Sequence, residues 1–336
     1  MIATVLGCGS IGKRHLKGLV KNMKDYGLTE VRAYDLNPER MQEALKACDN
    51  KITISDNLEK SVENAEVLFI CVPTSYHIDT YNEINKLGNF HLFIEKPLSH
   101  NLNGCDELLF NQTRSGKHCV IGYLFRLNPV IKRLKSKLEE KYIGRPISVR
   151  AECGAYLPLW HPWEKYQDFY MSWKVGGGGA LLDISHEIDL LQYLFGDVED
   201  VQGLFGTFSD LEISSDDLAL GIFKFRNGII GQLQVDLLQQ SRDRYIKVIG
   251  TEGTIVADII NSEIRCFKTD SEDWEIEKLE VNYDEIYEHE YMQFFNEINN
   301  HEKVLASLED GISVMQVIEA IRLSSSLGTR IKLPIY

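Results

Sequence analysis

The sequence predicts an α/β protein of two domains. Residues 1–122 read as a parallel sheet wrapped by helices, and residues 123–336 as an α+β domain on a large, mostly antiparallel open sheet. Three observations carry this. Up to residue 122, short β-branched runs alternate with longer stretches of helical period, as βαβ units do. After residue 145 the runs lengthen, alternate apolar with polar side chains, and are joined by hairpin-type turns. The length, 336 residues, exceeds what one domain needs at roughly 100 to 200 residues each.

In chain order, the first-domain strands are expected at 2–6, 30–35, 51–55, 66–72, 91–95 and 118–123. The fourth, EVLFICV, is apolar almost throughout, as a strand covered on both faces should be. Helices fill the gaps at 12–25, 76–87 and 101–113, and another follows Asn37, a cap residue with Pro38 at the first helical position. Second-domain strands are expected at 147–153, 198–208, 217–225, 229–237, 245–249, 254–258 and 263–267. Arg226-Asn227-Gly228 and Thr251-Glu252-Gly253 read as their turns. Helices are expected at 179–195, 284–300 and 308–327.

Hydrophobic residues make up 44% of the chain and charged residues 26%, which excludes a disordered, collagen-like or disulfide-stapled protein. The formal charge of −14 argues against a broad grip on nucleic acid or anionic lipid, so neither is expected as a partner. Seven cysteines are scattered and never closer than 14 residues, so no zinc site, other metal site or disulfide framework is expected, and a reducing cytoplasm is. No apolar run approaches the ~18 residues of a membrane helix, and MIATVLG lacks the charged leader of a signal peptide.

Gly7-Cys8-Gly9-Ser10-Ile11-Gly12 follows a predicted strand and opens a predicted helix, and Asp35 ends the next strand 23 residues after Gly12. This is a dinucleotide fingerprint, and it marks the first domain as a Rossmann fold. Gly7 permits the turn, Gly9 the approach of a pyrophosphate and Gly12 the packing of helix on strand, while the helix N-terminus holds phosphate charge. A kinase glycine loop is excluded, since neither HRD nor DFG occurs. Asp35 can accept both ribose hydroxyls and would repel a 2′-phosphate, which favours NAD over NADP; the alternative is that Asp35 only caps the following helix. Glu95-Lys96-Pro97 sits at the carboxyl end of the fifth strand, the edge where open parallel sheets bind ligands. A lysine there can steer a substrate hydroxyl, though a solvated surface lysine is the default reading of any single one.

Together with Cys71-Val72-Pro73-Thr74, His77, Gly122-Tyr123 and Arg126, these motifs resemble the GFO/IDH/MocA oxidoreductase family along the whole chain. The resemblance implies a cofactor site of Gly7, Gly9, Ser10, Ile11, Gly12, Asp35, Pro73, Thr74, His77, Glu95, Lys96 and Arg126. It implies catalysis by Lys96, Asp183 and His186, on the glycine-led segment Gly176-Gly177-Gly178-Gly179-Ala180-Leu181-Leu182-Asp183-Ile184-Ser185-His186-Glu187-Ile188-Asp189. Most members have three residues between that Asp and His, and here there are two. The His186-to-Asp189 spacing matches the family, which points to a one-residue deletion; Glu187 is the competing assignment. Lys96, Tyr123, Tyr156, Trp163, Asp183 and His186 are expected at the substrate.

Independently of the family, oxidising a secondary alcohol needs a base for the hydroxyl proton, and a histidine near its ordinary pKa suits. The bland alternative is a buried structural histidine. The aromatic stretch 156–166 reads as a loop that either borders a sugar or packs as an Ω-loop or subunit contact. His15, His91, His100 and His118 read as structural or solvated. The expected function is an NAD-dependent sugar dehydrogenase, of a nucleotide-linked amino sugar in surface-polysaccharide synthesis. Its alternatives are a dehydrogenase or epimerase of free sugar, inositol or a sialic-acid-like sugar, and a non-catalytic NAD-binding regulator. A homodimer or homotetramer is expected through the open sheet face, with Ile229, Leu233 and Val235 as apolar residues a monomer would leave wet.

Overall fold

A computed structural model describes residues 1–160, 165–300 and 306–335. The chain divides into two compact units, residues 1–123 with 284–312 and residues 124–283 with 313–336. The continuous second domain expected over 123–336 is thus corrected. Residues 284–312 belong to the first unit because Tyr291 and Phe294 pack edge-on against Phe69, and Phe294 also against Phe93, in that unit's core.

In the first unit, β1 (Ile2–Leu6), α1 (Ser10–Lys21), β2 (Glu30–Tyr34), α2 (Pro38–Ala47) and β3 (Thr53–Ile54) are followed by α3 (Leu58–Val62) and β4 (Val67–Ile70). Then come α4 (His77–Ile84), β5 (His91–Ile94), α5 (Cys105–Ser115) and β6 (Cys119–Ile121). The second unit opens with α6 (Pro129–Glu139), β7 (Pro146–Gly154), α7 (Ala180–Asp183) and α8 (His186–Phe195). It continues through β8 (Val198–Gly206), β9 (Leu218–Phe225), β10 (Ile230–Asp236), β11 (Asp243–Gly250), β12 (Gly253–Asp258), β13 (Glu263–Lys268) and β14 (Glu275–Lys278). After α9 (Tyr283–Asn300) and β15 (Ala306–Ser307), the chain ends in α10 (Leu308–Leu327) and β16 (Ile331–Lys332).

The first sheet runs β15-β6-β5-β4-β1-β2-β3, with β1 to β6 parallel and β15 added antiparallel at the β6 edge. β4 is buried at all four positions, as its unbroken apolar run requires. The topology switches beside β1, whose neighbours β2 and β4 are reached in opposite directions, and ligands bind at such a point.

The second sheet runs β14-β13-β12-β11-β7-β10-β9-β8-β16 and is antiparallel except for the pair β7–β10. Gly228, at φ +87°, closes the β9–β10 hairpin, and its N–H donates to Phe225 O. One face is buried and one is not, and the expected phase is corrected. Ile229, Leu233 and Val235 lie on the buried side, whereas Ile230 (43% exposed), Ile222 (52%) and Leu204 (58%) face outward. Ile229 precedes the strand, and Leu233 and Val235 share the covered face of β10 with Gly231. Two elements had a legible signal the sequence reading passed over: α6 has Asn128 as cap with Pro129 at its first position, and α3 is capped by Asn57.

Candidate active site

In the first unit the cradle is made of backbone. Gly7 turns the chain with φ +98°, and a Cβ there would come 2.7 Å from Cys71 main chain. Gly12 is equally constrained, since a Cβ would fall 1.9 Å from Gly7 O. Gly9 instead faces open space, with nothing within 4 Å of a Cβ position. α1 has no side-chain cap and no acidic residue in its first turn, so the N–H groups of Ser10, Ile11 and Gly12 are offered to an outside acceptor. An open approach over uncapped N–H groups fits a pyrophosphate.

Asp35 accepts from Cys8 N–H at 2.7 Å and from Asn37 N–H at 2.8 Å. It does not cap α2; Asn37 does, accepting from Glu39 N–H at 2.9 Å. Asp35 therefore ties the end of β2 to the glycine loop. Burial, reinforced by that carboxylate, pushes the Cys8 thiol up to about 12, so it is no nucleophile.

At the ends of β4 and β5, Pro73 is exposed while Thr74 is buried at the start of a 3₁₀ turn, Thr74–Tyr76. His77 is fully buried, with Nε2 2.9 Å from Val72 O and Nδ1 3.0 Å from Pro97 O. Burial holds its pKa below the ordinary histidine value. The expected cofactor contact becomes a strut between two strand ends. Glu95 is buried too: Oε1 lies 2.6 Å from His15 Nε2, and Oε2 accepts from Lys96 N–H at 3.2 Å. Lys96 itself is half-buried at the carboxyl edge of β5. Tyr123 keeps only 2% of its surface, which leaves little of its ring for a substrate.

The second unit builds its site from side chains. The helix expected over 179–195 is broken at Ile184 and Ser185, so that Asp183 ends α7 and His186 begins α8. Glycines bring the segment close to residues 170–171: a Cβ on Gly178 would lie 2.4 Å from both Tyr170 O and Met171 O. Tyr170 OH donates to Asp183 Oδ1. Asp216 anchors α7 by accepting from Leu181 N–H at 2.8 Å, and burial raises its pKa.

His186 is 7% exposed, and its ring meets Phe125 edge-on at 4.8 Å. The Arg244 guanidinium stacks on the same Phe125 ring at 3.5 Å and bonds Glu187 at 2.6 Å. Glu187, 1% exposed, is thereby committed to an ion pair, which removes the motive for assigning it as base. Arg126, expected at the cofactor, donates from Nε to both carboxylate oxygens of Asp189 at 3.0 and 3.1 Å. The H-x-x-D spacing thus serves to place Asp189 against Arg126. Tyr156 precedes the 3₁₀ turn Leu157–Leu159, and Trp163 lies outside the described residues. Among the described residues, no group of three or more His, Cys, Asp or Glu side chains could hold a metal, and no helix is long and apolar enough to cross a membrane.

Sequence reasoning missed Phe125, Tyr170, Asp216 and Arg244, none of which carried a local signal. His15, read as structural or solvated, is structural, within the buried stripe Gly12, His15, Leu16 and Leu19 of α1.

Two family profiles match the chain. Residues 2–123 match the oxidoreductase family's NAD-binding Rossmann fold, and residues 135–333 its C-terminal alpha/beta domain. The chain belongs to the GFO/IDH/MocA oxidoreductase family. It is an NAD-dependent oxidoreductase, and NAD is its cofactor. It is 26% identical to myo-inositol 2-dehydrogenase of Thermotoga maritima, covering 91% of each chain. It is 25% identical to levoglucosan dehydrogenase of Pseudarthrobacter phenanthrenivorans, over 89% of this chain and 88% of the relative. The WlbA dehydrogenase of Bordetella pertussis, in complex with NADH and UDP-GlcNAcA, shares the fold with TM-score 0.82 and 22% identity, over 100% of this chain and 99% of that one.

Proposed function

We propose that the protein moves a hydride between NAD and a secondary alcohol of a sugar, with Lys96 and His186 as the groups that handle the hydroxyl. Bound NAD supplies the hydride acceptor at its nicotinamide ring. His186 takes the hydroxyl proton as the carbon–hydrogen bond breaks, Lys96 orients that hydroxyl, and Asp183, held by Tyr170, balances the imidazolium. The observation that carries this reading is the helix break, which sets Asp183 and His186 at adjoining helix ends, with Glu187 turned into its own ion pair.

The substrate proposed is a nucleotide-linked amino sugar of surface-polysaccharide synthesis, supported by the likeness to WlbA with its UDP-GlcNAcA. The levoglucosan and myo-inositol dehydrogenases favour a second reading, a free sugar or cyclic polyol. Mass spectrometry of the nucleotide and sugar carried through purification, followed by cofactor absorbance on adding each candidate, decides. A uridine-linked sugar that is oxidised supports the first reading. Turnover of unlinked polyols alone supports the second, and NAD bound but never reduced would make the protein a regulator.

Asp35 is proposed to select NAD over NADP, and comparative titration of the two checks it; tighter NADP binding would sink the assignment. The outward face bearing Leu204, Leu220, Ile222, Ile230 and Ile249 is proposed as the face through which copies of the chain associate. Light scattering should give a dimer or tetramer, and a monomer at micromolar concentration refutes it.

A further inference from the structure

We infer that His15 is a positioning residue that sets Lys96 through Glu95. The inference rests on the proposed role of Lys96 and concerns the first unit alone. His15 lies on α1, the helix whose N-terminus forms the pyrophosphate cradle, and is wholly buried. Its Nε2 is 2.6 Å from Glu95 Oε1, while Glu95 Oε2 accepts the Lys96 main-chain N–H at 3.2 Å. One carboxylate therefore ties α1 to the peptide that begins Lys96.

The histidine cannot swing away from this bond. Its ring is boxed by Phe69 and Phe93 of β4 and β5, at 5.4 and 5.1 Å, and by Tyr287 and Tyr291 of α9, at 6.3 and 5.4 Å. The glycine at 122 leaves room on the other side, since a Cβ there would lie 3.3 Å from Glu95 Oε2. Neighbouring acids do not compete for the imidazole. Burial, and then the Glu95 charge, pushes the Glu290 carboxyl and the Cys71 thiol well above their ordinary values, which keeps both neutral.

Two apolar side chains would fill the same volume at less cost, because a buried charge-assisted pair adds little net stability. What the pair adds is direction: it fixes where the strand end leaves the sheet. A lysine that steers a hydroxyl needs that, since a displacement of about 1 Å costs about a hundredfold in rate.

The test compares two variants that break the bond, His15→Phe and the shorter His15→Asn, with His15→Gln, whose amide N–H reaches as far as Nε2. In the breaking variants turnover should fall about tenfold or more, with NAD affinity and substrate KM within about threefold of the parent, and His15→Gln should restore most of the turnover. Trace acetylation read by mass spectrometry supplies a measure that needs no substrate. Lys96 should change its labelling rate relative to exposed Lys51 in the breaking variants and keep it in His15→Gln. Turnover within twofold of the parent in a folded breaking variant, or unchanged Lys96 labelling, overturns the inference. Changed labelling with no turnover of any sugar by the parent leaves His15 in place and removes the dehydrogenase reading instead. Should His15→Phe fail to fold, His15→Asn decides alone.

Discussion

The cradle after β1 offers main-chain N–H groups to its ligand, whereas the break between α7 and α8 offers side chains, and the supports behind them differ accordingly. One carboxylate, Asp35, holds the glycine loop through Cys8 N–H. The helix break is held by Asp216 on Leu181 N–H, by Arg126 on Asp189 and by Arg244 on Glu187, all buried. A backbone site needs little behind it because the peptide geometry is already fixed by strand and helix. A side-chain site must also fix rotamers, and in a low-dielectric interior that is done with paired charges.

The largest expected effect follows from that contrast. Glu187→Gln leaves the Arg244 guanidinium buried without its carboxylate and should cost about 3–5 kcal/mol in urea unfolding. Asp35→Asn removes one partly exposed bond and should cost about 1 kcal/mol. Equal costs would erase the distinction between the two supports. A Glu187→Gln protein that keeps its stability and loses all turnover would instead restore Glu187 as the catalytic base.

Next comes activity. Lys96→Ala and His186→Ala should each lower turnover by about a hundredfold or more, the scale of a lost proton-handling group. NAD affinity should move little in His186→Ala and more in Lys96→Ala, because Lys96 shares its unit with the cradle. Titration of NAD into both variants checks the split, and an NAD defect in His186→Ala alone reverses it.

The same contrast explains what could be read in advance. Gly7, Gly9, Gly12 and Asp35 are legible because backbone chemistry needs glycines at fixed spacing within one βα turn. Asp183 and His186 were located only through a family likeness. Their supports, Phe125, Tyr170, Asp216 and Arg244, come from four segments far apart in sequence, and no local pattern joins them. The face of β10 was misjudged because a strand's period of two groups Ile229, Leu233 and Val235 on one side without saying which of the two sides the rest of the fold covers. The return of residues 284–312 to the first unit was hidden because amphipathic helices do not name the sheet they cover.

The smallest effect sharpens the comparison by setting a neutral buried acid against a paired one. Glu290 in the first unit is 1% exposed, like Glu187 in the second, yet burial and the nearby Glu95 charge hold its pKa well above the carboxylate range. The folded chain therefore keeps a proton that the unfolded chain releases above about pH 4.5. Because the unfolded state binds fewer protons there, stability must fall as pH rises, by at most about 1.4 kcal/mol per pH unit. Glu290→Gln removes that dependence, so the variant should gain on the parent as pH rises above the ordinary carboxylate range. All four tryptophans lie between residues 160 and 274, within the second unit, so their fluorescence cannot report the change. Hydrogen exchange at the Phe69 and Phe93 amides can, and it should show the variant's first unit opening less often as pH rises, once intrinsic exchange rates are divided out. An advantage that stays flat or reverses with pH would mean that Glu290 is ionised in the fold, a second buried carboxylate charge in the first unit beside that of Glu95.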